Sequence, residues 1–150
     1  LIYLWNFKTM IIKIKHNKEI FAYLIKYTKK KGVNFFTPKT VGQQVAIINH
    51  SKGHKIKPHI HFKNHRVVKY TTEVLIIKKG KLRVDFYKKN KLYLFSKILK
   101  KDNIIIFIKG GHGFEVLENS SIIEIKQGPY NKTKDKLVFE NYKSKRKYLK

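Results

Sequence analysis

Short apolar segments, rich in Ile, Val, Tyr and Phe and separated by turn residues, fill the chain from residue 41 onward. Seven or eight such segments at short spacing predict the strands of a β-sandwich or a barrel. Gly80, Asn90 and Asp102 are residues that tight turns favour, and they predict hairpin turns between these segments. The predicted strands are 43–49, 55–62, 66–78, 82–87, 91–99, 103–108, 114–118 and 121–127.

The first forty residues have a different pattern. Residues 10–16 alternate loosely between apolar and polar side chains, which predicts a strand. A short N-terminal helix is predicted to follow, because Asn17 can cap it and Gly32 can end it. The apolar residues that recur at helical spacing between these two are Ile20, Phe21, Leu24 and Ile25.

The chain is predicted to form one domain, because it has 150 residues, no internal repeat and no linker. It begins at Leu1 and its only methionine is Met10, so either Leu1 reflects an unusual start codon or translation begins at Met10. The predicted parts are an upstream extension (1–9), an N-terminal strand and helix (10–40), a barrel (41–130) and a basic C-terminal tail (131–150).

The net charge of +26 would attract phosphate groups, but its composition favours a different explanation. Only 3 of the 35 basic residues are arginine, and proteins that read bases or clamp phosphates rely on arginine's planar fork. The residues with AT-rich codons far outnumber those with GC-rich codons, so mutational bias explains most of the lysine. We therefore expect solvated lysines and no nucleic-acid partner.

Cysteine is absent, which excludes a disulfide framework and a thiolate metal site and fits a reducing cytoplasm. No apolar run approaches the roughly 20 residues that a membrane-spanning helix needs. The sequence therefore predicts a cytoplasmic protein without a membrane partner.

Candidate chemistry is concentrated in the stretch "GHKIKPHIHF" (53–62). In a strand, His59 and His61 project from the same face, about 6–7 Å apart along the chain. This pair suits two ligands of one metal ion, a catalytic acid and base, or two solvated side chains on the outside of a strand.

The spacing of Gly53, His59, His61, Glu73 and Gly80 resembles the first conserved motif of the cupin superfamily. The run "KDNIIIFIKGGH" (101–112), which contains Asp102 and ends at His112, resembles the second motif. The resemblance covers roughly 45–127 and implies an all-β fold, a single small jelly-roll barrel of the cupin type. Within the superfamily, the chain looks like a group of bacterial cupins linked to surface-polysaccharide genes, a group without an assigned reaction.

The resemblance implies a pocket that binds a divalent metal ion together with a small polar or anionic molecule. Three imidazoles and one carboxylate suit Fe, Mn, Ni or Zn and leave positions open for substrate. Eleven residues separate His61 from Glu73 where the cupin pattern has three or four, and His65 in this insertion is a substitute ligand. The implied metal ligands are His59, His61, Glu73 and His112.

Two further functions stay open at this point. The chain also resembles metal-free sugar-nucleotide isomerases and epimerases, in which His59 and His61 would act as acid and base. Tyr70 or Tyr87 would assist them, although the strand pattern also predicts both as aromatic residues of the core. The residues implied to hold a diphosphate are Lys55, Lys57, Arg66 and Lys109.

The third function is a non-catalytic ligand-binding module, because cupin barrels host many functions. Whether the chain is an enzyme is therefore left open by its sequence. A homodimer is expected, since many cupins pair through their edge strands.

Overall fold

The computed structural model describes residues 10–68, 70–129, 131 and 135–140. In these residues the chain is all-β and contains no helix. The eight strands are β1 (Ile11–His16), β2 (Glu19–Ile25), β3 (Gly32–Phe35), β4 (Ala46–Asn49), β5 (Glu73–Tyr87), β6 (Tyr93–Lys100), β7 (Ile104–Phe107) and β8 (Gly111–Lys126).

Six strands form one antiparallel sheet in the order β1-β2-β7-β5-β6, and β8 pairs along the other side of β5. Strand β5 is long enough to have two neighbours in succession. Its first part pairs with β7 and its second part pairs with β6, while β8 accompanies both parts. Strands β3 and β4 form a separate two-stranded ribbon.

The main sheet curls into a half-barrel around its core. Glu73 begins β5, and His112 lies opposite Phe86 near the other end of the same strand. A straight strand would hold these two positions roughly 40 Å apart. The side chains of Glu73 and His112 are nevertheless 3.6 Å apart, so the strand bends through a large angle. The core that fills the concave side includes Leu75, Ile77, Leu82, Val84, Phe86, Leu99 and Ile105.

The hairpin turn predicted at Gly80 is wrong, because strand β5 continues through this residue instead of reversing direction. Its φ is +83°, and the pairing with β8 shifts register on both sides of it, so Gly80 forms a β-bulge. The bulge changes which positions face the core. Leu75 and Ile77 face inward before it, and Leu82 and Val84 face inward after it.

The predicted N-terminal helix is wrong, because residues 19–25 form strand β2. The five residues 21–25 are all buried, since β2 contacts one core cluster with Phe21, Ala22 and Leu24 and another with Tyr23. A short apolar run buried on both faces has no diagnostic period, and its helical spacing was coincidental. Asn17 has a φ of 55° and lies in the turn between β1 and β2 instead of capping a helix.

Residues 50–68, which we call the arm, do not form the strand predicted for 55–62. The arm has no regular structure, and every one of its residues is exposed. The predicted strand 66–78 is correspondingly shorter, because β5 begins only at Glu73. The turns predicted near Asn90 and Asp102 are present, with positive φ at Lys91 and Asp102.

Strands β1 and β2 of the N-terminal part belong to the main sheet, because β2 pairs with β7, whereas β3 pairs with β4 in the separate ribbon. The expected upstream extension (1–9) and most of the basic tail (131–150) lie outside the described residues. The part of that tail that is described contacts the sheet. Phe139 packs edge-on against the ring of Tyr87, with the ring centres 5.2 Å apart.

Candidate functional site

The curl of the sheet brings Glu73 and His112 together at the mouth of the half-barrel. Glu73 is the first residue of β5, and His112 is the second residue of β8. His112 Nε2 lies 3.6 Å from Glu73 Oε2. The side chains are 25% and 20% exposed, respectively, so both are shielded from bulk water and still reachable by a ligand.

Phe107 is the platform on which this pair is built. It is buried, and it lies directly opposite Glu73 in the pairing of β7 with β5. Its ring stacks on the imidazole of His112, with the ring centres 4.1 Å apart and the planes 21° apart. Phe114 flanks the same imidazole at 5.2 Å. These aromatic contacts fix the orientation of His112 relative to Glu73.

The electrostatics of the pair act mainly on Glu73. Burial acts to raise the pKa of its carboxyl group, because a charged carboxylate is poorly solvated there. Interaction with the His112 imidazole, 3.6 Å away, and the positive charges of Lys126 and Lys136 act in the other direction and together outweigh burial. The pKa of Glu73 is therefore lowered from its usual value, and the carboxylate is ionised at neutral pH.

This lowered pKa predicts a pH-dependent contribution to stability. A carboxyl group with a depressed pKa in the folded state stabilises the protein above its unfolded-state pKa, about 4.3. The contribution is lost as the pH falls through the folded-state pKa. We expect Glu73→Gln to cost about 1 kcal/mol in the free energy of unfolding near neutral pH, and close to nothing at a pH well below the folded-state pKa of Glu73. Urea unfolding of both proteins across this range measures the difference, and an equal cost at both ends would show that the charge contributes nothing.

A cavity of about 470 Å³ is formed by residues close to the pair in sequence, although neither Glu73 nor His112 lines it. Gly110 lines it two residues before His112, and Tyr70 lines it three residues before Glu73. The remaining lining residues are Glu19, Phe21, Lys88, Lys89, Asn90 and Lys109. Three lysines against one glutamate make the lining positive, so the cavity suits an anionic ligand.

The charges around this cavity are partly paired. Lys109 Nζ lies 2.8 Å from Glu19 Oε1, and the hydrogen bond from Lys109 lowers the pKa of Glu19. Lys89 Nζ lies 5.3 Å from the centre of the Tyr70 ring, within range of a cation–π interaction. Lys109 therefore has a partner within the chain, which a ligand anion would have to share.

The two histidines singled out by the sequence lie elsewhere, in the exposed arm. The rings of His59 and His61 are 5.1 Å apart and edge-on, but no strand holds them, so the shared strand face predicted for this pair is absent. His59 Nδ1 also lies 3.0 Å from the carbonyl oxygen of Lys57. The arm contains another ring pair, His50 stacked on His54 at 3.7 Å.

The implied metal ligands are thus divided into two pairs, His59–His61 on the arm and Glu73–His112 at the mouth. Across the described residues, no group of three or more His, Cys, Asp or Glu side chains is arranged to hold a metal ion. The four-ligand set does not fit a metal ion in this arrangement, and we derive no reaction step from one. Metal binding stays a prediction from the sequence.

The other candidate residues occupy three different environments. Tyr70 is exposed at the cavity, whereas Tyr87 is buried between Tyr93 and Phe139. Lys109 lines the cavity. Lys55, Lys57 and Arg66 are exposed on the arm.

Sequence reasoning missed a buried ionic cluster on the second half of β5. Arg83 and Asp85 are each 3% exposed, and Arg83 Nε and Nη2 donate to the two carboxylate oxygens of Asp85 at 2.9 and 3.0 Å. Glu115 Oε2 on β8 lies 2.5 Å from Arg83 Nη2, and the hydroxyl of Ser96 on β6 donates to Asp85. The cluster joins the second half of β5 to β6 and to β8. The signal for it was the opposite charge at i and i+2 within the strand "LRVDFY".

The chain matches no protein-family model, no curated protein and no solved structure. In the described part of the chain there is no helix long and apolar enough to cross a membrane.

Proposed function

We propose that the chain is a cupin-like protein that binds a small anionic carbonyl compound and moves a proton on it with the Glu73–His112 pair. The observation that carries this proposal is the half-buried carboxylate–imidazole pair, 3.6 Å apart, which is close in sequence to Tyr70 and Gly110 of a cavity with a positive lining. Acid–base catalysis requires a titratable group of this kind within reach of a bound substrate.

In this reaction His112 is the base, because a neutral imidazole can accept a proton at its unprotonated ring nitrogen. It takes a proton from the carbon next to the substrate carbonyl, and the electron pair of that C–H bond moves onto the carbonyl oxygen to form an enolate. The Glu73 carboxylate stabilises the imidazolium ion that results. The same proton, or one exchanged with solvent, then returns to the same carbon from the opposite face, which gives epimerisation. If that carbon carries a hydroxyl group, the proton can instead return to the former carbonyl carbon while the hydroxyl proton passes to solvent, which gives isomerisation. The net change is an isomerisation or epimerisation, without an external oxidant or reductant.

The lysines of the cavity support an anionic substrate class. Lys88 and Lys89 are ammonium groups at the lining that can hold a phosphate or diphosphate, and Lys109 adds a third. A volume of about 470 Å³ suits a small ligand. A 4-keto-6-deoxy sugar nucleotide combines the carbonyl group, the acidic carbon–hydrogen bond and the diphosphate, and it is the first class to test.

The test is solvent exchange. In D₂O at neutral pH, the protein is expected to exchange deuterium into the carbon next to the ketone of such a sugar nucleotide, followed by NMR. His112→Gln is expected to lower the exchange rate about 100-fold, because the base is lost while the Phe107 platform remains.

Two controls give this experiment its meaning. His50→Gln changes an exposed imidazole of the arm and should leave exchange unchanged. His59→Ala with His61→Ala tests the other assignment, and loss of exchange in that variant alone would transfer the role to the arm. Binding of the sugar nucleotide in calorimetry without exchange would identify a non-catalytic binding module and overturn the proposed reaction.

A further inference from the structure

The arm carries large apolar side chains that contact water. Ile60 is 87% exposed and Phe62 is 92% exposed, and Ile56, Val67 and Val68 are exposed as well. Apolar side chains concentrated in one exposed segment are a liability in a folded protein unless another surface covers them. Something outside the chain's own sheet is therefore expected to bind the arm.

Both ends of the arm are anchored to the body of the chain. Just before it, the Asn49 side-chain amide donates to the carbonyl oxygens of Thr28 and Lys30, at 2.8 and 2.9 Å. Just after it, Thr72 N donates to Gln127 Oε1 at 2.8 Å, and the Gln127 side-chain amide donates back to Thr72 Oγ1. The arm thus leaves and returns at fixed points, and residues 50–68 project into solvent.

Strand β8 is an edge with exposed apolar side chains of its own. Within the described residues it pairs with β5 on one side and with no strand on the other. Val116 lies opposite the fully buried Leu82, yet Val116 is 60% exposed. Phe114, opposite the fully buried Val84, is 45% exposed. On the concave face, the core therefore covers the side chains of β5 but leaves those of β8 exposed. A further strand-like segment paired with β8 would cover them.

We propose that two copies of this chain associate by exchanging arms, so that the arm of each copy lies along β8 of the other and covers Val116 and Phe114. Exchange of an identical element is a common route to a two-fold dimer, and it fills both edges at once. A segment that pairs with an open strand edge also satisfies the edge's backbone groups.

The area that exchange would bury fits a stable dimer. At roughly 60–120 Å² for each large apolar side chain, the five on the arm and those on β8 amount to several hundred Å² per copy. Stable interfaces bury about 800 Å² per partner. Backbone and polar atoms of the arm supply the remainder.

Charge also favours a second copy as the occupant. The arm has five basic residues and no acidic one, whereas β8 carries three of the chain's nine acidic residues. Those three, Glu115, Glu118 and Glu124, pair with basic groups of their own chain and still leave about half of each side chain exposed, 47%, 54% and 45%. A basic arm laid along this strand meets exposed carboxylates on a chain that is otherwise strongly positive.

The test uses two complementary variants and measures mass by light scattering across a concentration series. The arm variant, Ile60→Asp with Phe62→Asp, loses the apolar anchors and repels the acidic edge. The edge variant, Val116→Lys, loses the apolar contact and repels the basic arm. The wild type is expected to be a dimer, and each variant alone is expected to raise the dimer dissociation constant about 100-fold or more.

Mixing the two variants is expected to restore a dimer of one copy of each. The mutated arm then meets the mutated edge with opposite charges, and the unchanged arm of the second copy meets the unchanged edge of the first. Leu92→Asp is the control, because Leu92 is an exposed apolar residue directly before β6, and this variant should stay dimeric. Circular dichroism checks that every variant keeps its strands, which we expect because each changed side chain is exposed.

Three results would overturn the proposal. A wild type that is monomeric at all concentrations would show that β8 is covered by the arm of the same chain or by no segment. Variants that remain dimeric would place the interface elsewhere. Monomeric variants that fail to form a mixed dimer would show that arm and edge do not meet. None of these readouts depends on Glu73, His112 or a bound ligand, so the proposed function is tested separately.

Discussion

Asp85→Ala is expected to lower the free energy of unfolding by about 3–5 kcal/mol, because it leaves a buried guanidinium without its main partner. Arg83 and Asp85 are each 3% exposed and share two hydrogen bonds of 2.9 and 3.0 Å. With Asp85 removed, the remaining carboxylate at Arg83 is Glu115, whose side chain is 47% exposed and so partly screened by water. Urea unfolding followed by circular dichroism measures the loss.

Glu115→Ala is the matched control, since it removes the other carboxylate at the same arginine. It is expected to cost about 1 kcal/mol, because a half-exposed ion pair contributes little. The double variant Arg83→Met with Asp85→Leu is expected to recover most of the stability, since it removes both buried charges and keeps apolar volume. Equal losses for Asp85→Ala and Glu115→Ala would show that water reaches the cluster and that it is not a buried one.

The strands were predictable where each apolar side chain faces one core and the turn residues are distinctive. The pattern of 82–87 places Leu82, Val84 and Phe86 on the concave face, as the structure has them. The helix prediction failed at β2, because a run buried on both faces carries no period that separates a strand from a helix. The hairpin predicted at Gly80 failed because positive φ serves a β-bulge as readily as a turn.

The candidate site was predictable only in part, for a similar reason. The motif resemblance singled out Glu73 and His112, and the curl of the sheet brings them together although 38 positions separate them in sequence. The same resemblance added His59 and His61, which lie on the arm. Alternation along a segment predicts which side chains would share a face if the segment were a strand. It does not show whether a neighbouring strand is present to pair with the segment. If a second copy supplies that neighbour, the missing information is intermolecular and no single-chain pattern contains it.

The second large effect is expected at Gly80. Gly80→Ala is expected to lower the free energy of unfolding by about 3 kcal/mol, because the left-handed backbone conformation alone costs an alanine about 1–2 kcal/mol. A Cβ atom at this position would in addition overlap Ser120 Oγ and the backbone carbonyl oxygen of Asn119 across the bulge. Gly42→Ala is the matched control, since nothing lies within 4 Å of a Cβ there and its φ is not positive, so we expect a change of about 0.5 kcal/mol or less.

Gly80 also connects the fold to the candidate site. The bulge shifts the inward-facing positions from odd to even numbers, so that Glu73 at the start of β5 and the partner of His112 near its end face the same side. Relief of strain at Gly80 by loss of the bulge would turn one half of the strand over and separate the pair. Glu73→Gln should therefore cost less in the Gly80→Ala background than in the wild type, by most of its own effect of about 1 kcal/mol. If the two costs add in full while Gly80→Ala remains destabilising, the bulge contributes to stability alone, and the curl that joins Glu73 to His112 must be held elsewhere, with the ion cluster at Asp85 as the first place to look.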